Sequence, residues 1–403
     1  MTQRRDLRTG RALWAESSGL GVPIAVPSQD IFTDVAVIGA GISGALMARE
    51  LLRRGHDVVL LDRRLPLHGS TMASTALLQF EIDVPLSKLA ERIGVRKANR
   101  AWRRSFRAVQ GLADIVAHER IRCGFRQRSS LYLAGTEYGS RALRAEVDAR
   151  ERAGLPGRYV DRAELRSRYG IDRTGAIEST GNASADPAQL TAGLLRRVVA
   201  AGGRIFSPAD VQDTIADGKG VVLGLASGQA VIARHAVFCT GYELLKGVKL
   251  DGHVVKSTWA MACHPVNSLP AWLRTTMVWE ASDPYLYLRS THDGRLVAGG
   301  EDEESATRHQ DEATLLTKSH RILSKVETLL PTLSIVPSHV WAGPFGESPT
   351  GLPLIDRVPG LPCCFTVAGF GGNGITHSVI ASEVIARAID GENDPDREMF
   401  RVP

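Results

Sequence analysis

The residues best placed to do chemistry in this 403-residue chain are three glycines, Gly39, Gly41 and Gly44, and a carboxylate at Asp62. Gly39-Ala40-Gly41-Ile42-Ser43-Gly44 follows the apolar run Val35 to Ile38, which has the length and β-branching of a buried parallel strand. A helical pattern continues through Arg54, Gly55 fits its C-terminal cap, and Asp57 to Leu61 reads as a second buried strand. In a βαβ unit such glycines make a tight turn, let the backbone approach a pyrophosphate, and let helix pack closely on strand. The helix N-terminus then faces the phosphates with free N–H groups and the positive end of its dipole. Asp62 lies about 20 residues on, where a carboxylate binds ribose hydroxyls. The pattern predicts a dinucleotide site; the bland reading is a Gly-rich structural turn. Arg63 and Arg64 suit either a 2′-phosphate or the flank of an adenine or AMP phosphate.

Two further stretches bear on which dinucleotide it is. Gly69-Ser70-Thr71-Met72-Ala73-Ser74-Thr75 is rich in small and hydroxyl residues that can line an extended cofactor, or else simply form a turn. Downstream, the short strand Cys364 to Ala368 enters Gly369-Phe370-Gly371-Gly372-Asn373-Gly374, then an apolar-periodic helix through Ile389. Glycines at this density weaken an element unless something must approach the backbone. A helix N-terminus aimed at a flavin stabilises the negative charge that develops on reduction, a need that nicotinamide does not have.

The elements that position these residues require a large chain. The length exceeds the ~250–300 residues at which single cores stop growing, so two domains are expected. An apolar fraction of 43% and a charged fraction of 23% are globular values. Basic residues number 49 against 44 acidic, a charge of +5 carried by scattered arginines, which predicts a solvated face rather than a nucleic-acid site. The five cysteines contain no CxxC, and Cys363 adjoins Cys364, so neither zinc nor a disulfide framework is indicated and a cytoplasmic setting is expected. His264 and His377 are not spaced as metal ligands, and no metal is expected. No apolar run reaches the ~18 residues of a transmembrane segment. Residues 1–30 read as an N-terminal extension without a signal peptide's apolar stretch, anchored by Trp14.

Four separated motifs give the chain a resemblance to the FAD-dependent oxidoreductases of the D-amino acid oxidase, glycine oxidase and sarcosine oxidase type. They are GAGISG with Asp62; GSTMAST; Phe238-Cys239-Thr240-Gly241, similar to the family's A-T-G turn; and the block from Trp341-Ala342-Gly343 through Thr350-Gly351-Leu352-Pro353 to AGFGGNGIT. The resemblance implies an α/β protein with a Rossmann-like FAD-binding domain on a parallel sheet and an α+β substrate domain on a mainly antiparallel one. Residues 31–90, 185–250 and 340–403 would form the first, and 91–184 and 251–339 the second. Asp186-Pro187 reads as the cap of a helix to Ala201, and Ala98, Trp102, Phe106, Val109 and Leu112 as a helical core stripe. FAD contacts are implied for the six residues of GAGISG, for Asp62, Arg63 and Arg64, and for Gly69, Ser70, Thr71, Ser74 and Thr75. The same holds for Val211 at the adenine, for Thr240 and Gly241, and for Gly369, Gly371, Gly372, Asn373, Gly374, Ile375 and Thr376. Relatives with covalent flavin carry histidine where Ala73 stands or cysteine near Pro344, so FAD is expected to be non-covalent.

The resemblance further implies oxidation of a CH–NH bond in a small amine or amino acid by hydride transfer to the flavin N5, to oxygen or to a quinone or other carrier. Such chemistry needs orientation of the substrate more than a protein nucleophile. At the places where relatives bind the substrate carboxylate with Arg or Lys, this chain has Phe345, Gly372 and Thr376. Either Arg289 substitutes, sharing a strand face with Tyr285 and Tyr287, or the substrate lacks an α-carboxylate; a surface strand is the bland reading of that face. Gln79 and Phe80 are pocket candidates, and Arg295 falls near a lysine that assists oxygen in sarcosine-oxidase-like relatives, with a structural role as its alternative. The acidic run Glu301 to Glu304 reads as a solvated loop. A CH–OH dehydrogenase of 2-hydroxy acids or glycerol phosphate on the same fold, which needs a base near the flavin N5 with histidine as the expected type, is the alternative function. A flavoprotein subunit of a larger complex is a third.

Overall fold

Two sheets organise the residues that the computed structural model describes, 4–243 and 253–401. The first has eight strands. Ile31–Ile38 lies between Val58–Leu61 and Ala230–Phe238, parallel to both, and Arg204–Phe206 and Cys364–Ala368 extend the parallel set outward. Val35, Val37, Val58, Val59, Leu60 and Leu61 are fully buried, since helices cover a parallel sheet and leave its inner strands no polar face. Leu354–Arg357 adds an antiparallel edge, and Val211–Ala216 with Val221–Leu225 forms an antiparallel flap on Ala230–Phe238. The helices Ile42–Arg53 and Gly374–Ile389 pack together, so both glycine-rich turns open at the same end of this sheet. A third helix, Pro187–Ala200, starts as expected: the Asp186 carboxylate accepts from the backbone N–H groups of Ala188 and Gln189, each at 2.9 Å.

The second sheet has ten strands and is antiparallel except where Thr276–Glu280 runs parallel to Arg126–Leu133. The helix Glu312–Leu329 packs on it, burying Leu315, Ile322 and Val326 with Trp259 and Met261. The expected pairing of a parallel-sheet unit with a mainly antiparallel one is the observed architecture. The expected boundary at 340 falls inside Pro337–Glu347, which pairs along its length with Val254–Cys263 in the antiparallel sheet. Leu77–Leu78 joins that sheet too, through Ala183 and Ser184, although it precedes residue 90. The strands cross between units because the cofactor-facing loops hang on both. The boundary at 250 lies outside the described residues. The N-terminal extension is tied to both sheets: Thr9–Gly10 pairs with Trp341 and Ala342, Ala25 bridges to Phe206, and buried Trp14 donates from Nε1 to the Ser74 carbonyl at 2.6 Å.

Candidate active site

The three glycines of the first turn do different work. Gly39 has φ 110°, and a Cβ there would lie 2.4 Å from the Cys239 carbonyl oxygen. A Cβ at Gly44 would lie 1.8 Å from the Gly39 carbonyl oxygen, so helix and turn touch backbone to backbone. At Gly41 a Cβ would meet only the Thr71 hydroxyl, at 3.1 Å, and this glycine faces the cavity. Thr71 comes from the GSTMAST segment and accepts the Ile42 N–H at 3.1 Å, satisfying one open donor of the helix start. Thr71→Val is expected to cost about 1 kcal/mol of stability, the usual effect of losing a cap. Denaturant unfolding of the flavin-free protein measures this; an unchanged midpoint would mean that the bond contributes nothing.

Asp62 is clamped from two sides, accepting from the Ala40 N–H at 2.7 Å and the Arg64 N–H at 2.8 Å. Burial raises its carboxyl, and those N–H groups oppose the rise. The two arginines after it converge on Glu243, with Arg64 Nη1 at 2.7 Å and Arg63 in closer contact still. Burial works to raise the Glu243 carboxyl, but the hydrogen bonds from Arg64 and Arg63 hold it below its ordinary value. The guanidinium groups are thus engaged by a carboxylate of the chain itself, which removes the argument they offered for a 2′-phosphate.

A long cavity connects the two sheets. Its outer end is lined by Asp62, Arg63, Arg64, Ala209, Asp210 and Val211, beside the flap of the parallel sheet. Its middle is lined by Gly39, Gly41, Ile42 and Ser43, by Gly69, Ser70, Thr71, Ser74 and Thr75, and by Thr240 and Gly241. Its inner end meets Gly371, Gly372, Gly374 and Ile375 and is closed by Gln79, Asp83, Tyr242, Trp279, Tyr285, Tyr287 and Phe345. Most of the residues expected at FAD therefore line one continuous space.

Five of the expected cofactor residues stand behind this lining. Ala40 holds Asp62, and Gly44 packs on Gly39. Gly369, at φ 63°, makes the turn out of Cys364–Ala368. Asn373 donates from Nδ2 to the carbonyls of Gln79 and Glu81 at 3.0 and 2.9 Å, and the Thr376 hydroxyl donates to Gln79 at 2.9 Å. These last two fix the Gln79–Glu81 segment, and with it the wall that carries Asp83.

Gln79 and Tyr287 line the inner end, as expected of substrate-site residues, but Arg289 and Arg295 are placed elsewhere. Two residues beyond Tyr287, Arg289 has passed the cavity's end and is buried beneath the Ser74–Thr75 turn. Its Nε donates to the Thr75 carbonyl at 2.6 Å and its Nη2 to the Ala185 carbonyl at 2.8 Å, with the guanidinium carbon 5.2 Å from the Trp14 ring centre. Burial, with Arg128 nearby, lowers its pKa. Arg295 binds Asp293 at 2.9 Å within its own turn and donates to the Cys263 carbonyl. Phe80 is fully buried against Trp102 and Phe106 rather than in the cavity. The run Glu301 to Glu304 is also no solvated loop: its first three residues end the strand Leu296–Glu303. Glu301 is buried with Lys318 and Lys325, and Asp302 accepts the Tyr285 hydroxyl at 2.8 Å.

The charged residue of the cavity lining that sequence reading passed over is Asp83. It precedes Pro85 and the helix Leu86–Ile93, the setting of an ordinary helix entry. In the structure its carboxylate opens on the cavity and accepts the Gly372 N–H at 2.6 Å. Asp83 is exposed through the cavity, and desolvation by the protein packed around that space, with the neighbouring carboxylates Glu347 and Asp302, raises its carboxyl to about 6. His377 does not reach the cavity; its Nδ1–H donates to the Phe370 carbonyl at 2.8 Å, and burial lowers its pKa to about 4. No helix among the described residues is long and apolar enough to cross a membrane.

Comparison with known proteins gives the family and the fold. The profile of the family described as FAD dependent oxidoreductase matches residues 34–388. A probable oxidoreductase of Rhizobium meliloti is 27% identical over 87% of this chain and 83% of its own length. The gamma-glutamylputrescine oxidoreductase of Escherichia coli is 23% identical over 94% of this chain and 88% of its own. Among solved structures, glycine oxidase from Geobacillus kaustophilus superimposes with a TM-score of 0.77 at 20% identity, covering 93% of this chain and 99% of that one.

Proposed function

The chain belongs to the FAD-dependent oxidoreductase family, and on that premise we propose that it oxidises the CH–NH bond of an amine that carries no α-carboxylate for the protein to grip. One observation carries this reading. Among the described residues that line the cavity, the two cations, Arg63 and Arg64, are paired with Glu243, and the charged side chain beside the Gly371–Ile375 turn is a carboxylate, Asp83. A substrate carboxylate brought into this space would lose its hydration without gaining a charge-assisted partner, and would meet a like charge.

FAD, when bound, supplies the two-electron oxidation, accepting a hydride from the substrate carbon next to nitrogen. The protein's part is to bind and orient. Gly41 and the helix start at Ile42 would hold the pyrophosphate, Asp62 the ribose, and the Gly371–Ile375 turn the ring system, while the antiparallel sheet would present the substrate. Trp279, Tyr285 and Tyr287 wall the inner end, and Asp302 fixes the Tyr285 hydroxyl. Burial keeps both tyrosines protonated by raising their pKa values. The cofactor is held non-covalently: among the described residues no histidine lines the cavity, and the thiol of Cys239, which does, is pushed up by burial to about 12.

The oxidised substrate is an imine, which water hydrolyses to a carbonyl compound and a free amine. Incubating the FAD-loaded protein with secondary and primary amines and an artificial electron acceptor is expected to release carbonyl product in step with acceptor reduction. Carbonyl product formed only from 2-hydroxy acids would replace this reading with the CH–OH one.

A further inference from the structure

We propose that Asp83 selects the substrate by receiving a second positive charge on it, so that the substrate is a diamine or oligoamine whose distal ammonium sits on this carboxylate. The inference rests on the amine reading above and names the substrate class of the same site.

The first argument is steric. Gly372 occupies a position where the family resemblance leads one to expect an arginine, and its missing side chain leaves a space that Asp83 fills. A Cβ at Gly372 would lie 2.9 Å from Asp83 Oδ1, and one at Gly371 2.5 Å from Oδ2. A carboxylate therefore stands where a cation would reach the substrate, and the sign of the inner end is reversed.

The second argument is valence. A carboxylate has about four acceptor positions, and the Gly372 N–H is the one hydrogen bond made to Asp83 by the described residues. No ion pair reaches it among them. The nearby cation, Lys256, is held by Glu304 at 2.7 Å and Glu347 at 2.8 Å. Glu347 and Asp302 add negative field around Asp83, while the facing tyrosines, Tyr242, Tyr285 and Tyr287, stay neutral. At pH 7 the Asp83 carboxyl, raised to about 6, is ionised and free to bind a cation.

The third argument is the wall. Trp279, Tyr285 and Tyr287 bring aromatic faces to the same end, and such faces attract ammonium groups while tolerating the methylenes between two amines.

The test uses the FAD-loaded protein under anaerobic conditions, with a series of α,ω-diamines, the monoamines of matched chain length, and the matched ω-amino acids. The expected result is flavin reduction at an apparent second-order rate about ten- to a hundredfold higher for the best diamine than for its monoamine, the range of one charge-assisted hydrogen bond. The ω-amino acid, whose far end is an anion, is expected below both. Asp83→Asn should bring the diamine-to-monoamine ratio close to one in protein whose FAD content is checked first. The double variant Asp83→Ala, Gly372→Arg, which first removes the side chain that a Cβ at Gly372 would meet at 2.9 Å, puts a cation in the vacated space and should favour the ω-amino acid. Equal rates for diamine and monoamine in the unmodified protein, or an unchanged ratio in Asp83→Asn, would overturn the inference and leave the amine reading intact. Failure of every amine to reduce the flavin would overturn both.

Discussion

A valine at position 41 is expected to give a folded but colourless protein. Gly41 has φ −84°, a conformation open to any residue, and its Cβ would contact only the Thr71 hydroxyl. The methyl groups of the valine would project into the cavity at the start of Ile42–Arg53, where the pyrophosphate has to meet backbone N–H groups. FAD affinity should fall at least a hundredfold, about 2.8 kcal/mol at 1.4 kcal/mol per tenfold. Visible flavin absorbance per protein, with far-ultraviolet circular dichroism as the check on folding, reads both sides of the prediction. Gly44→Val serves as the contrast: its Cβ would lie 1.8 Å from a carbonyl oxygen, so this variant should lose the fold itself. A yellow Gly41→Val protein would show that the pyrophosphate does not pass this turn.

Arg289→Ala is expected to destabilise the protein strongly from outside the cavity lining. The guanidinium satisfies the buried carbonyls of Thr75 and Ala185 and lies over Trp14, so it joins the GSTMAST loop, the Pro187–Ala200 helix entry and the N-terminal extension. Removing it leaves buried acceptors unpaired at about 1–3 kcal/mol each, offset in part by no longer desolvating a cation; a net loss of about 2–4 kcal/mol follows. Chemical denaturation of the holoenzyme measures the loss, and the diamine-to-monoamine ratio should stay as it was. A stable variant with a raised KM would instead return Arg289 to the substrate site.

What could be read from the sequence follows from how locally it is encoded. Val35 to Asp62 carries strand, turn, helix and strand within one continuous stretch, and the C-terminal glycine loop repeats the arrangement; residues of both loops line the cavity. The substrate end is assembled differently. Asp83, Gly372 and Tyr285 meet only because two sheets bring distant segments together, and no spacing rule joins them. The period-2 rule put Arg289 on the face of Tyr285 and Tyr287 but could not tell where along the strand the cavity ends. The acidic run after Gly300 reads as solvent-facing by composition, yet Lys318 and Lys325, on the helix Glu312–Leu329, bury Glu301. The missing Arg and Lys at Phe345, Gly372 and Thr376 were visible as absences. That an anion had replaced one of them was visible only in three dimensions.

The most direct test of the central claim is single-turnover reduction of the bound FAD without oxygen, comparing one amine with the amino acid that differs from it only by an α-carboxylate. The pairing of Arg63 and Arg64 with Glu243, with Asp83 as the charged group beside the Gly371–Ile375 turn, predicts that the amine bleaches the flavin and the amino acid does so far more slowly. Faster reduction by the amino acid would contradict the account and require a carboxylate partner that the described cavity does not contain.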